Sequence, residues 1–333
     1  MRTMFMSPKA FQIYGFTLLG LVIVVAASLP WWGHRYTEQL AIEFFYTLAL
    51  AQSWNLLAGY GGLLSVGQQA FIGVGGYMVV ALGLLAGFNP FLVIPVAGVV
   101  CVLIAIPMAA LLFRLKGANF AVGTWVAAEV LRLLISNIDA VGGGSGISIT
   151  PTLMGIPVWW RVSTTLWISL GLGIGGTMLV YGLLRTRLGL ALTAVRDSEP
   201  AAASLGVSVS RMKWAVYLAA ALWAGMTGAL IFITKLRVAP DAAFSIDWMT
   251  TTFFVTVIGG IGTVEGPLIG TLVYFVLRGF LADYGSWYLI ALGLVAVIFM
   301  LFIPQGIAGV LKKLTGSNLF PTQRHAPKLV SGA

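Results

Sequence analysis

Three residue classes are scarce in this chain of 333 residues: charged side chains make up 9%, cysteine occurs once and histidine twice. Soluble domains carry roughly 25% charged residues, so the deficit excludes an ordinary soluble globule. Cys101 stands alone inside an apolar run, which excludes an internal disulfide and a thiolate metal cluster. His34 and His325 lie in a loop and in the C-terminal tail, which argues against haem ligation and histidine-based metal sites. The phosphate-cradling pattern G-x-x-x-x-G-K-[ST] is absent, so the chain does not bind ATP in that way.

What is present is apolar. Hydrophobic residues make up 59% of the chain, the mean hydropathy is +0.98, and glycine (41) and tryptophan (11) are abundant. Membrane helices use small residues to pack and aromatics at the interface. Runs long enough to cross a bilayer recur at 11–31, 41–58, 69–87, 91–113, 118–136, 163–184, 214–234, 249–261, 267–282 and 287–304. The expected fold class is an all-α polytopic membrane protein with about ten transmembrane helices, eight to ten being compatible with the pattern. Some are expected to be broken or re-entrant, above all around 249–282, where glycines and Pro267 interrupt the run. The N-terminus has signal-peptide features, but its apolar stretch is long and is read as an uncleaved first helix.

Basic residues set the orientation. Most of the 19 fall on one side of the alternating pattern, whereas Arg35, Arg161, Lys235 and Arg237 fall on the other and Arg132 and Arg278 inside runs. Both termini are therefore expected in the cytoplasm. The organisation is a cytoplasmic N-terminus (1–10), a transmembrane permease domain (11–310) with a cytoplasmic loop at 185–213 and an outer loop at 137–162, and a disordered cytoplasmic tail (311–333). The net charge of +9 is an orientation signal spread over short loops, and no nucleic-acid partner is expected.

Polar side chains inside apolar runs are the candidates for function. Glu129 lies roughly 16 Å into its run, near the midplane, and Arg132 follows at a helical spacing that lets the two pair. Each charge costs about 2.5–3.5 kcal/mol at the bilayer centre, so their face must meet protein or water. Gln52, Ser53 and Asn55 precede a glycine-rich bend at Gly59–Gly62; Ser65, Gln68 and Gln69 follow it. The candidate translocation path is Gln52, Asn55, Ser65, Gln68, Gln69, Thr124, Glu129 and Arg132. A structural role in gluing helices is the alternative for each. Small-xxx-small pairs at Gly83–Gly87, Gly171–Gly175, Ala224–Gly228 and Gly266–Gly270 mark helix contacts. "GGLLSVGQQAFIG" (61–73) and "GGIGTVEGPLIG" (259–270) echo one another, by duplication or by shared packing needs.

The stretch "TAVRDSEPAAASLGVSVSRMK" (193–213) is the polar exception. Ser198 can cap a helix, Glu199 and Pro200 suit its first turn, and Gly206 lies just past its end. A short alanine-sided helix outside the membrane suits docking into a groove on another protein; an ordinary connecting helix is the alternative. "RLGLALTAVRDSEPAAASLGVSVSRMK" resembles the coupling loop of permease subunits of branched-chain amino-acid ABC importers, the LivM-like group. "NLLAGYGGLLSVGQQAFIGVGGY", "LKGANFAVGTWVAAEVLRLL", "GGGSGI" and "VIGGIGTVEGPLIG" are similar to the same family and occur in its order. The likeness covers about residues 45–310.

The resemblance implies a permease subunit, not an enzyme, in a bacterial inner membrane. Its partners would be membrane lipid, a homologous second permease (LivH-like), two cytoplasmic ATPases (LivG/LivF-like) and an external solute-binding protein. No cofactor is expected in this chain; ATP and Mg would reside on the ATPases. Arg196, Asp197, Ser198, Glu199, Pro200, Ala201, Ala202, Ala203, Ser204, Leu205 and Gly206 would form the ATPase-coupling segment. The solute would be a branched-chain amino acid or a related small polar molecule. "KGANF" (116–120) departs from the family's "RGVYF"-like pattern, which leaves the solute open. Two rival functions remain in view. One is an ion- or proton-coupled secondary transporter using Glu129. The other is an intramembrane serine protease, because "GGSG" (143–146) matches G-x-S-G; Ser145 would then need a histidine base on a later helix, and the chain has none there.

Overall fold

In hydrocarbon a backbone must satisfy its own N–H and C=O groups, and over apolar runs of this length the α-helix is the solution. The computed structural model, which describes residues 8–281, 287–303, 305–315 and 320, follows that rule. Its helices are α1 (Pro8–Trp32), α2 (Arg35–Trp54), α3 (Gln69–Met78), α4 (Pro90–Leu112), α5 (Ala118–Ser136), α6 (Val158–Leu184), α7 (Arg187–Asp197), α8 (Glu199–Ser204), α9 (Val209–Lys235), α10 (Pro240–Ala243), α11 (Ile246–Gly259), α12 (Gly266–Leu281), α13 (Trp287–Phe302) and α14 (Gly306–Thr315). Each apolar run of the sequence falls on one of them, and the 69–87 run continues past α3 through a π-helical segment, Val79–Leu85. The described residues contain five helical stretches long and apolar enough to cross a membrane: α4, α5, α6, α9 and Pro240–Gly259. The pair Gly293–Phe302 and Gly306–Thr315, bent by 42° at its break, makes a sixth if it is one span.

α9 is the hub. Ala220, Ala221, Ala224, Ala229, Leu230 and Ile231 are buried along it, and it packs on α2, α3, α4 and α6. Small residues make this possible, because without a hydrophobic drive between helices only close backbone approach supplies enough van der Waals contact. A methyl group added at Gly228 would sit 2.3 Å from the Ile72 carbonyl oxygen. Ala224–Gly228 and Gly266–Gly270 thus lie at contacts within the chain, whereas nothing approaches Gly171 or Gly175 within 4 Å. At the periphery Val122, Trp125, Val126 and Leu134 on α5 and Leu294, Val297 and Leu301 on α13 are exposed, as helices facing lipid or another membrane chain must be.

Three expectations change. The 185–213 loop is mostly helix, since α7 and α8 fill it. The tail expected as disordered from 311 is still helical to Thr315: Gly306 turns the chain with a φ of +64°, and α14 then carries Ile307, Val310, Leu311 and Leu314 with Lys312 and Lys313. Phe320 is buried against Tyr181, with ring centroids 5.2 Å apart. The remaining tail and residues 1–7 lie outside the described residues. The segment expected as an outer loop at 137–162 is a run of tight turns tied down by a two-residue strand β1 (Ile147–Ser148), which pairs antiparallel with β2 (Arg237–Val238). Within it Ser145 donates to the Gly142 carbonyl at 3.1 Å, and Arg237 donates to the Ser145 carbonyl at 2.9 Å. Among the described residues no histidine is hydrogen-bonded to the Ser145 hydroxyl, and the protease geometry is not formed there.

Candidate functional site: a polar layer between two cavities

α2 does not stop cleanly. After Trp54 it widens into a π-helical turn, Asn55–Tyr60, and then passes through Gly61 and Gly62 into an extended stretch. Wide turns of this kind free backbone groups and are common at functional sites. Here the freed groups and the nearby side chains are knitted into a layer. Gln52 Nε2 donates to the Val264 carbonyl at 2.8 Å and to Thr177 Oγ1 at 3.1 Å. Asn55 reads the 260–265 turn with both ends of its amide: Nδ2 donates to the Thr263 carbonyl at 2.8 Å, and Oδ1 accepts from the Gly262 N–H at 2.8 Å. Ser53 Oγ donates to the Ala220 carbonyl at 3.2 Å and accepts from Gln68 Nε2. Trp54 Nε1 donates to the Ser65 carbonyl at 2.9 Å, Ser65 Oγ accepts from Gly67 N–H, and Thr124 Oγ1 accepts from Val66 N–H at 3.0 Å. The two glycine-rich segments that echo in sequence come from the neighbourhoods joined here. A Cβ on Gly59 would lie 2.6 Å from the Gly262 nitrogen, so only glycine permits the contact.

The structure therefore brings Gln52, Asn55, Ser65, Gln68 and Thr124 into one buried region. Gln69, the first residue of α3, is also buried. The side-chain oxygens of Gln52, Gln68 and Gln69 have no hydrogen-bond partner among the described residues. Glu129 and Arg132 are not part of this region. Five residues on from Thr124, Glu129 points about 140° away around α5. Arg132 holds Glu129 Oε1 through Nε (2.9 Å) and Nη2 (2.5 Å), as the spacing predicts, and reaches Asp241 on α10 through Nη1 at 2.6 Å. The side chains of Glu129 and Arg132 are 44% and 27% exposed, and that of Asp241 is 82% exposed. Arg132 lies one turn from Ser136, the last residue of α5, and its guanidinium is shared between Glu129 on the same helix and Asp241 on α10.

Two cavities, each of about 370 Å³, flank the layer. Along α2, Glu43, Tyr46, Thr47 and Leu50 line one, and Tyr60 lines the other; Gln52 and Asn55 lie between. Along α11, Thr251 and Thr252 line the first cavity, Thr256 follows, and Gly262–Glu265 line the second. Thr256 Oγ1 donates to the Thr252 carbonyl of its own helix at 2.8 Å and lies 3.4 Å from the Ala51 carbonyl oxygen, so α2 and α11 touch at the level of the layer. Sequence reasoning passed over Glu43 and left Arg278 unassigned. Both were visible as charges inside apolar runs, and they pair at 2.7 Å in the wall of the first cavity.

The second cavity is also lined by the polar segment. Ser198 caps α8 by accepting from the Ala201 N–H at 3.4 Å, as expected. Gly206 closes it with a φ of +82°, and the Val207 N–H returns to the Ala202 carbonyl at 3.0 Å. Lys213 pairs with Glu199 at 2.5 Å and so fastens α8 to the start of α9. The alanine face expected outside is half hidden, because one turn of helix carries Ala202 inward to 1% exposure while Ala201 and Ala203 stay out. Leu205 (81% exposed), with Leu188 and Leu190 of α7, supplies the apolar surface instead. Pro200 and Ser204 remain on the exposed side. Arg196 connects this segment to the layer: Nη1 donates to the Gly59 carbonyl at 3.2 Å, while Nε pairs with Asp197 at 2.9 Å.

Comparison with known proteins agrees with this architecture. The family described as branched-chain amino acid transport system / permease component matches residues 36–304. The high-affinity branched-chain amino acid transport system permease protein LivM of Escherichia coli (strain K12) is 27% identical over 94% of this chain and 76% of its own length. The LivM protein of Salmonella typhimurium is 27% identical over 86% of this chain and 73% of its own. The fructose import permease protein FruG of Bifidobacterium longum is 26% identical over 80% of this chain and 81% of its own. No solved structure matches. With a multi-pass helical body, a family match that spans most of the chain, and segments that resemble it in order, the chain belongs to the branched-chain amino acid permease family and is a transport subunit of an ABC importer.

Proposed function

We propose that this permease passes a branched-chain amino acid or a related small polar solute by alternating access, using the two cavities as half-channels and the Gln52–Asn55 layer as the closure between them. The helical runs then cross the bilayer about ten times, with both termini and the 185–213 segment in the cytoplasm of a bacterial inner membrane. A LivH-like second permease completes the gate, LivG/LivF-like ATPases hold ATP and Mg and grip α7 and α8, and an external binding protein docks near the 137–162 turns. The observation that carries this reading is Arg196, whose one side chain joins the exposed segment to the bend of α2 and lines the cavity beneath the layer. Motion imposed on α8 thereby reaches the backbone that Asn55 and Gly262 hold shut. The three glutamine oxygens left without partners support the reading as well. A buried acceptor without a partner costs about 1–3 kcal/mol; a layer that opens offers these oxygens to water or solute.

The coupling surface is tested by Leu205→Glu in the complete transporter. Leu205 projects outward, so the subunit is expected to assemble while ATP hydrolysis loses its link to uptake. Ala202→Glu is the contrast, since a carboxylate at a buried site costs several kcal/mol and is expected to block assembly. Normal uptake per ATP in Leu205→Glu would remove the coupling role.

A further inference from the structure

The cavity that Arg196 lines has two walls built on different helices. One is the corner where α6 turns into α7, through Leu184, Gly189, Leu190 and Thr193. This corner is tight: a Cβ on Gly189 would lie 2.4 Å from the Leu184 Cα, so α7 follows the end of α6. The other wall is α14, through Ala308, Gly309 and Lys312, and α14 packs on α11 and α12. Phe320 stands five residues beyond the end of α14, in the polar stretch SNLFPTQR (317–324), yet it is 1% exposed. Its ring meets Tyr181 of α6 near edge-on, with centroids 5.2 Å apart, and it lines the same cavity. Arg185 steadies the Tyr181 ring from its own turn of helix, with the guanidinium 5.5 Å from the centroid and Nη1 donating to the hydroxyl at 3.4 Å. An aromatic side chain buries more apolar area than other residues, and edge-to-face contact with a second ring adds to that. The chain that leaves one wall is thus fastened to the other.

We infer that Phe320 is an intramolecular latch: seated on Tyr181, it ties the chain after α14 to the α6–α7 corner and holds α7 and α8 in their resting position. The inference rests on the alternating-access reading above and adds a restraint to it. Arg196 leaves α7 for the Gly59 carbonyl, so the latched helix is the one that reaches the layer. With Phe320 seated, the two walls of the cavity keep their spacing, and movement of α7 is opposed. With Phe320 released, α7 is free to follow a pull on α8. The two positions form an equilibrium, and whatever favours the moved form of α7 also favours release.

The test uses the complete transporter in liposomes, supplied with ATP but no solute. Phe320→Ala is expected to raise this idle ATP hydrolysis by about threefold to tenfold, as when one state of a two-state equilibrium loses a single good contact. Tyr181→Ala should do the same, and Tyr181→Phe, which keeps a ring under Phe320, should stay near wild type. Thermal unfolding is measured beside it. A lower melting temperature with unchanged idle hydrolysis would overturn the latch and leave Phe320 as packing. The second arm pairs Tyr181→Cys with Phe320→Cys and joins the thiols with a short bis-methanethiosulfonate; the native Cys101 is fully buried and stays silent. Joining should suppress both idle hydrolysis and uptake, and reduction should restore them. Uptake at the unlinked rate after joining would also overturn the latch. A wild-type complex that hydrolyses ATP without moving solute would instead defeat the gate reading, and idle hydrolysis by Phe320→Ala would still decide the latch.

Discussion

The layer at the end of α2 and the ionic trio on α5 are made from the same scarce material, polar side chains in apolar helices, and they sit in opposite surroundings. Asn55 is fully buried and gives both ends of its amide to the backbone of the 260–265 turn. Glu129 is 44% exposed and gives one oxygen to Arg132, which turns away to Asp241. A buried polar group that loses its partner leaves another group unsatisfied in a medium that offers no water. An exposed ion pair can be replaced by water or headgroups at little cost. The lesson is that a charge in an apolar run is no guide to importance until its neighbours are known. The amide with no net charge does more here than the carboxylate.

The largest effect that separates the two regions is expected from Asn55→Leu. It strands the Thr263 carbonyl and the Gly262 N–H together, a loss of roughly 2–6 kcal/mol. The measurement is thermal unfolding of the purified complex followed by tryptophan fluorescence, with yield of assembled complex as a second readout. A melting temperature close to that of wild type would break the comparison, because the layer would then be no better supported than the surface.

An intermediate effect is expected at the junction. Arg196 is 35% exposed at its side chain, so Arg196→Gln should leave folding almost intact. It removes the bond to Gly59, and uptake per ATP is expected to fall by about threefold to tenfold, as for a partly exposed hydrogen bond worth roughly 0.7–1.4 kcal/mol. Arg196→Lys keeps a donor within reach and should recover part of the loss. A drop in stability without a change in coupling would place Arg196 among ordinary glue and sharpen the boundary of the layer.

Much of this architecture was legible in the residues. Runs of apolar side chains mark the helices because a membrane leaves the backbone few other choices, and Ser198, Pro200 and Gly206 mark α8 because caps and left-handed turns have strong local preferences. The Glu129–Arg132 pair follows from helical spacing alone. What could not be read is which face of each helix turns inward. In an almost uniformly apolar helix such as α4 or α9, no amphipathic stripe distinguishes the core side from the lipid side. Ala202 and Ala203 are adjacent and identical in type, yet one is buried and the other is not. The meeting of Asn55 with Gly262, and of Glu43 with Arg278, depends on contacts between residues more than two hundred positions apart.

The smallest effect is expected from Glu129→Gln. The change removes a charge from a pair that is partly open and keeps an amide of the same shape, so the loss of stability should stay below about 1 kcal/mol. Arg132 keeps its bond to Asp241, and the positive charge left behind lies one turn from the end of α5, where an arginine can snorkel to water. Uptake driven by ATP should therefore stay near the wild-type rate, and it should not depend on an imposed proton gradient. A secondary transporter that protonates Glu129 behaves in the opposite way, because the amide cannot carry the proton and transport stops. Measuring uptake by wild type and Glu129→Gln in liposomes, with ATP and no gradient and then with a gradient and no ATP, separates the two. If the amide abolishes uptake in the complete transporter, the exposed trio is the working part, and the ranking of the two regions is reversed.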